Sequence, residues 1–356
     1  MSAVLTQALP AMAAGRAYRR RHVRRVMLVG ALLCALAVSL AADIATGPSG
    51  MGMSRLFQVL LQSDGVPRME QVIVWDVRLP YALMAVLVGA ALALAGAEMQ
   101  TILVNPLASP FTLGVSAAAS FGAALAIVLN WSVPGVPPQY VVSANAFLFA
   151  FASVGLLHLL TRWRGFGVES LVLFGIALVF AFNALVALLQ FVASQDSLQQ
   201  LVFWTMGSLS RSSWDKIAIL AAALAVIAPW AVRDSWAMTA LTMGEDRARS
   251  FGVDVRRLRM LSLLRISLLS ALAVSFVGTI GFIGLVAPHI ARLLVGEDHR
   301  LLLPASALAG ALILSLASIC SKTLIDGVLI PVGIVTALVG IPFFMLIVMR
   351  QRGGAA

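Results

Sequence analysis

Residues 79–97 read Leu-Pro-Tyr-Ala-Leu-Met-Ala-Val-Leu-Val-Gly-Ala-Ala-Leu-Ala-Leu-Ala-Gly-Ala. No residue in this run is charged. At about 1.5 Å per residue, a helix of this length comes close to spanning the ~30 Å hydrocarbon core of a bilayer. Gly89, Ala93 and Ala97 follow the small-xxx-small spacing that lets helix backbones approach closely in lipid. Similar runs lie at 26–47, 112–130, 141–161, 168–193, 217–232, 262–279, 281–296, 301–320 and 331–349, which makes ten. The composition agrees, with 61% hydrophobic and 11% charged residues. A soluble chain could not hide that much apolar surface. The short alternating segments of a membrane barrel are absent. The expected class is an all-α polytopic membrane protein with about ten transmembrane helices.

The net charge of +10 is explained by topology. With both termini placed in the cytoplasm, six basic residues fall outside: Arg55, Arg68, Arg78, Arg211, Lys216 and Lys322. The other 19 of the 25, Arg162 and Arg164 among them, fall inside. This is the positive-inside pattern, and a nucleic-acid partner is not needed. The chain divides into a basic N-terminal tail (1–25), one membrane domain (26–350) and a C-terminal tail (351–356). Its longer connections are 47–78 and 194–216 outside, and 233–261 inside. The apolar run after residue 25 is too long for a signal-peptide core, and Ala41-Ala42-Asp43 is a poor cleavage site, so the first helix reads as retained. Cys34 and Cys320 lie far apart within predicted spans and suggest neither a disulfide framework nor a metal site.

Two stretches interrupt the helices. Residues 105–114 hold Pro106 and Pro110, and 278–289 hold Gly278, Gly281, Gly284 and Pro288. Proline breaks the helical hydrogen-bond ladder. Irregular backbone at membrane depth is tolerated only under cover of protein or beside a water-filled cavity. One such stretch in each half hints at two related halves.

No engine is visible in the chain itself. Lys322-Thr323 follows Cys320-Ser321 and lacks the glycines of a phosphate-binding loop. HExxH, GxSxG, CxxC and EF-hand patterns are absent, and no enzymatic activity is expected. Ion-coupled transporters carry ionisable groups inside the membrane, but here the predicted spans are nearly free of them. Glu98 is the main exception, either as a helix-end carboxylate at the interface or as a pathway group. His158 is isolated near a helix end. His289 follows Pro288 and has no second ligand at metal-binding spacing.

That leaves Gly244-Glu245-Asp246-Arg247-Ala248-Arg249-Ser250-Phe251-Gly252, a charged island in an inside loop. Glu245 and Asp246 suit a helix start and Gly252 a helix end. It reads either as a solvated connecting helix or as a handle for a soluble partner.

The motifs together resemble the permease subunits of type II ABC importers, the group that takes up ferric siderophores, haem and vitamin B12. They comprise Arg78-Leu79-Pro80, Gly89 to Gly96, Met99-Gln100, Asn105-Pro106-Leu107-Ala108-Ser109-Pro110, and Leu113-Gly114-Val115-Ser116. Downstream come Trp204-Thr205-Met206-Gly207-Ser208-Leu209, the 244–252 island, Gly281-Phe282-Ile283-Gly284-Leu285-Val286-Ala287-Pro288-His289-Ile290-Ala291-Arg292, Leu303-Pro304, and Pro331 to Ala337. The resemblance spans about 26–350. It implies a homodimer of ten-helix subunits in the cell inner membrane around a central path. Two ATPase subunits, which would hold the ATP and Mg, would dock inside. A periplasmic or lipid-anchored binding protein would dock outside. No cofactor is expected on this chain.

The island matches the family's coupling helix. Gly244, Glu245, Arg247, Ala248 and Gly252 would meet the ATPase, with Ala248 and Gly252 permitting close packing. Arg78 matches a position that docks the binding protein, and Lys322 falls near another where relatives more often carry Arg. Tyr81 and Ser318 depart from the pattern, standing where many relatives have Arg and Asp. Asn183 and Gln190 share one face of the fifth helix and would line the path or bridge helices. Glu98 is a further path candidate. An iron chelate is the implied substrate, a ferric siderophore first, with haem or vitamin B12 as the runner-up. An ion-coupled secondary transporter is the reading from a different class, and a membrane scaffold without transport is a third.

Overall fold

A computed structural model describes residues 2–47, 51–61, 65–161, 168–325 and 327–353. The inside positions Arg162 and Arg164 lie outside this set. The described residues form ten principal helices: α1 Ser2–Ala45, α2 Leu79–Ile102, α3 Val115–Val128, α4 Pro138–Thr161, α5 Val168–Val192, α6 Trp214–Arg233, α7 Val255–Val277, α8 Ile283–Val295, α9 His299–Thr323 and α10 Val332–Gly353. Each of the ten expected spans falls on one of them. Shorter helices fill the connections at Met53–Leu61, Arg68–Val72, Gln195–Thr205, Ser235–Leu241 and Glu245–Ser250. The basic stretch before residue 26 is not a separate element, because α1 is continuous through it.

Helices dominate because a backbone in hydrocarbon must satisfy its own polar groups. Their ends are set by residues that substitute for missing turns. Asp254 caps α7 by accepting from the Arg257 amide at 2.9 Å, and Asp298 caps α9 by accepting from the Arg300 amide at 3.1 Å. Gly278 at φ 82° ends α7 and Gly296 at φ 80° ends α8, a backbone region that favours glycine.

Among the described residues, seven helices are long and apolar enough to cross a membrane alone. With 14 and 13 residues, α3 and α8 reach only about 20 Å. Both are short because the chain enters the bundle before helix begins, along the stretch predicted at 105–114 and the first part, 278–282, of the one predicted at 278–289; Pro288 lies inside α8 and does not break it. A 3-10 turn, Pro110–Leu113, precedes α3, and an irregular segment, Gly278–Phe282, with Phe282 at φ 68°, precedes α8. The two stretches converge, since a Cβ built on Gly284 of α8 would lie 3.5 Å from Pro110 Cδ.

α2 is the axis of the bundle. It packs against α7, α8 and α9, and more narrowly against α6. Its most apolar window is 72% buried, whereas the corresponding windows of α1 and α5 are 17% buried. The small-residue spacing explains how neighbours come so close. A Cβ on Gly89 would fall 2.3 Å from the Gly310 carbonyl oxygen of α9, and one on Gly96 would fall 1.8 Å from the carbonyl oxygen of Gly284. Both distances are within the repulsive wall, so only glycine fits. Gly96→Val is expected to cost more than ~3 kcal/mol and to abolish monodisperse protein in fluorescence-detected size-exclusion chromatography. Gly155→Val, at a site with nothing within 4 Å of the added Cβ, should behave as the parent.

Candidate functional site

The charged island folds as a single helical turn and a half, Glu245–Ser250. Gly244 supplies φ 105° before it and Gly252 φ 82° after it. The Val253 amide bonds the Ala248 carbonyl at 3.0 Å and the Gly252 amide bonds that of Arg249 at 2.9 Å, closing the C-terminus. Glu245 accepts from Arg249 at 3.0 Å and from Arg259 of α7. Arg259 also donates to the Ile102 carbonyl, at the end of α2, at 3.1 Å. The turn is thereby braced against two membrane helices instead of hanging from them. Asp246, Arg247, Arg249 and Phe251 point outward, with Phe251 52% exposed.

Ala248 is different from expectation. It is fully buried in the subunit's own core, so its small size lets the turn seat on the bundle, and the outward surface belongs to its neighbours. The position of Gly252 is explained by its backbone angle, and an added Cβ there would meet open space.

Beneath the turn lies a buried ion cluster. Arg265 of α7 is fully buried and its Nε donates to both Glu98 oxygens at 2.9 and 3.0 Å. Its Nη1 donates to Asp234 at 2.7 Å and its Nη2 to Ser262 at 3.1 Å. Its guanidinium also lies 5.0 Å from the Trp230 ring centroid. Glu98 is therefore neither an interface carboxylate nor a wall of a path. It is the inner partner of an ion pair joining α2 to α7 and to the end of α6. The positive-inside pattern places Arg265 among the 19 inside charges, yet it falls within the predicted 262–279 span. A charge in a span with a second charge of opposite sign in another span was the available signal.

On the same face, His299 is buried. Its Nε2 lies 2.6 Å from Thr101 Oγ1 and its Nδ1 3.2 Å from Thr239 Oγ1. This links α2, α9 and the Ser235–Leu241 helix.

The opposite face holds a second cluster. Lys322 donates to Asp43 Oδ1 at 2.7 Å and to its carbonyl at 2.9 Å, and lies 4.5 Å from the Tyr81 ring centroid. Ser318 Oγ donates to Asp43 Oδ1 at 2.7 Å. Arg78 is 4% exposed, and its Nη1 donates to the carbonyls of Ile44 and Ala45 at 3.1 and 2.9 Å. Arg78 and Lys322 thus tie α1 to α2 and α9 inside the subunit. Neither projects outward as a docking residue would. Tyr81 and Ser318, the two departures from the family pattern, both touch this cluster. Asp43, absent from the candidate residues, is the acid on which it is built.

Two of the resembling motifs, 204–209 and 331–337, meet close by at the end of α7. Thr279 Oγ1 donates to the Thr205 carbonyl, and the Gly333 amide donates to the Gly207 carbonyl at 3.1 Å. Arg211 donates to the carbonyls of Phe203 and Val277 at 2.7 and 3.4 Å. Burial lowers its pKa to about 10, so it stays charged at neutral pH. These contacts clamp the ends of Gln195–Thr205, α7 and α10 together.

Asn183 is exposed and Gln190 half-buried on α5. Around them α5 presents Phe180 and Phe191, 69% and 87% exposed. α10 presents Leu338, Val339 and Met345 in the same way. Among the described residues, no group of His, Cys, Asp and Glu is arranged to hold a metal.

The chain matches the FecCD transport family over residues 13–350. It belongs to that family. It is 34% identical to the hemin transport system permease of Yersinia pestis over 93% of this chain and 98% of the relative. It is 33% identical to the molybdate import system permease of Haemophilus influenzae, over 90% and 94%. A solved inward-facing structure of a metal-chelate type ABC transporter superposes with a TM-score of 0.79 at 32% identity, over 91% of this chain and 99% of that one. The protein is therefore a multi-pass permease of the ABC importer class. Within it, removing Glu98 alone would leave Arg265 short of a counter-charge in a dry site, at a cost of about 3–5 kcal/mol. Glu98→Ala should lower the melting temperature in detergent. The pair Glu98→Ala with Arg265→Met should recover most of the loss, and a double variant no better than the single would refute the assigned pairing.

Proposed function

We propose that two copies of this chain form the membrane core of an inner-membrane ABC importer for an iron chelate, a ferric siderophore first. ATP and Mg are held by two separate ATPase subunits, and a periplasmic or lipid-anchored binding protein delivers the substrate. The observation that carries this reading is the braced turn Glu245–Ser250. A surface that merely connects two spans has no need of a bridge from Glu245 through Arg259 to the last carbonyl of α2.

The bracing gives the mechanism its lever. When the ATPase pair closes on nucleotide, a push on Asp246, Arg247 and Phe251 passes to α7 and α2 without bending a loop. The Arg265 cluster lies directly behind, so α2, α6 and α7 move as one body. The less buried helices α5 and α10 then change their spacing across the dimer, and access to the central path alternates. Asn183 and Gln190 supply sparse polar groups on that wall. A bulky hydrophilic chelate needs a wide and weakly binding route, because tight binding would stop release.

An iron chelate is put first because a hemin permease and a metal-chelate transporter both match nearly the whole chain; the molybdate permease matches to the same degree and is the competing cargo. Ion coupling is disfavoured because Glu98, the acid it would use, is already neutralised by Arg265.

The test reconstitutes the chain with its co-encoded ATPase and binding protein in proteoliposomes. Uptake of ferric siderophore, haem, cobalamin and molybdate is followed with and without ATP. ATP-dependent uptake of a ferric siderophore alone is the expected result. Uptake of another member of the panel would move the substrate assignment, and uptake that ignores ATP would overturn the importer reading. Arg247→Glu combined with Phe251→Ala should leave the chain folded, reduce ATPase association at least about tenfold, and abolish uptake.

A further inference from the structure

A concave site opens beside the coupling turn, between the end of α6, the Ser235–Leu241 helix and the start of α7, with a volume of about 380 Å³. Its walls carry Trp230, Trp236, Arg233, Arg257 and Leu261. Two carboxylates also line it, and both are engaged. Asp234 accepts from Arg265 at 2.7 Å, and Asp254 caps α7 at 2.9 Å. The arginines differ from their neighbours. Arg249, Arg259 and Arg265 are each ion-paired. Arg233 and Arg257 are exposed, and no carboxylate among the described residues pairs with either. Two unpaired cations converge on one hollow, and two indoles border it.

The position of the hollow selects the ligand. Arg233 is the last residue of α6 and Arg257 lies in the first turn of α7, so the site sits where two bilayer-crossing helices leave the membrane. Tryptophan belongs at that level, with its ring in the headgroup layer. Basic hollows between helices at such a boundary attract lipid phosphates. Leu261 and Trp230 continue the wall toward the apolar zone, where acyl chains would run.

We propose that this groove binds the phosphate headgroup of an anionic membrane lipid, with Arg233 and Arg257 pairing to the phosphate and Trp236 packing on the glycerol region. The groove shares Gly252 and Val253 with the end of the coupling turn, so the bound lipid fills the wedge between the turn and the bilayer.

Native mass spectrometry of the full-length chain, titrated with phosphatidylglycerol or with phosphatidylcholine of the same acyl chains, tests this. Each arginine near the surface contributes about 1 kcal/mol and 1.4 kcal/mol is tenfold. R233Q/R257Q should therefore weaken phosphatidylglycerol binding by about 30-fold and leave phosphatidylcholine unchanged. R233K/R257K, which keeps the charge, should retain most of the binding and shows that the fold survives substitution there. R300Q removes an exposed arginine that lies outside the groove and pairs with no carboxylate among the described residues, and should bind as the parent. Equal binding by R233Q/R257Q and the parent overturns the proposal, as does an equal loss in R300Q, which would indicate general surface potential. Displacement of the lipid by inorganic phosphate alone also overturns it, by marking a free-phosphate site. The groove does not depend on the identity of the cargo, so its failure would leave the uptake assay standing.

Discussion

The carbonyl of Gly284 occupies the space that a side chain on Gly96 would need, and much of the bundle follows from that contact. α8 can begin in the interior only because α2 offers a bare backbone for it to lie against. The irregular segment before α8 is covered as a result, and irregular backbone at membrane depth is acceptable only when covered. The other broken stretch, leading into α3, reaches the same place through Pro110. A second bare patch, Gly89 against Gly310, lies seven residues earlier on the same face of α2 and seats α9 beside α8. The helix at the centre of the bundle is thus held by small residues, and shape does there what hydrophobicity cannot do among lipid tails.

Charge inside the bundle follows one rule on both faces. Glu98 meets Arg265 and Asp43 meets Lys322, each pair crossing between helices distant in sequence. A single charge of either pair would be expensive in hydrocarbon, while the pair, hydrogen-bonded by Ser262 or Ser318, is tolerable. Such pairs contribute less to stability than to register, since each fixes how far one helix has slid along another. The departures at Tyr81 and Ser318 are consistent with this. A lysine lying over an aromatic ring and a serine sharing an acid on α1 make a complete cluster by a different division of roles.

The helices were largely legible in the sequence, because ten apolar runs of membrane length admit few alternatives. Their interruptions were legible too, from Pro106, Pro110, Gly278 and Gly281, although Pro288, read as part of the second one, lies inside α8. The sequence did not reveal which of the runs would be short, since 112–130 and 281–296 are apolar through the irregular entry as well as the helix. At the turn Glu245–Ser250, the boundaries and the outward charges were readable. The inward direction of Ala248 was not, because a turn and a half of helix is too short to show a period. Arg78 and Lys322 mark the largest gap. A basic residue near the end of a span looks the same whether it faces water or an acid 279 positions away in the chain, as Lys322 does with Asp43. Pairings of that kind are properties of the packed bundle and have no local signature.

The division between buried and exposed helices bears on how such a chain can be both rigid and mobile. α2, α7 and α9 have most of their apolar surfaces buried within the subunit, whereas α5 keeps most of its surface outward. A lever must be stiff from the point of load to the moving part. The line from Glu245 through Arg259 to Ile102, and from Asp234 through Arg265 to Glu98, is built of charge-assisted hydrogen bonds with fixed geometry. On the proposal that α5 and α10 wall a transport path, a surface of Phe, Leu and Val with an occasional Asn183 or Gln190 has little directional bonding to break when the walls part. Placing the ionic contacts inside the subunit and leaving dispersion contacts at its outer face separates those two demands within one fold.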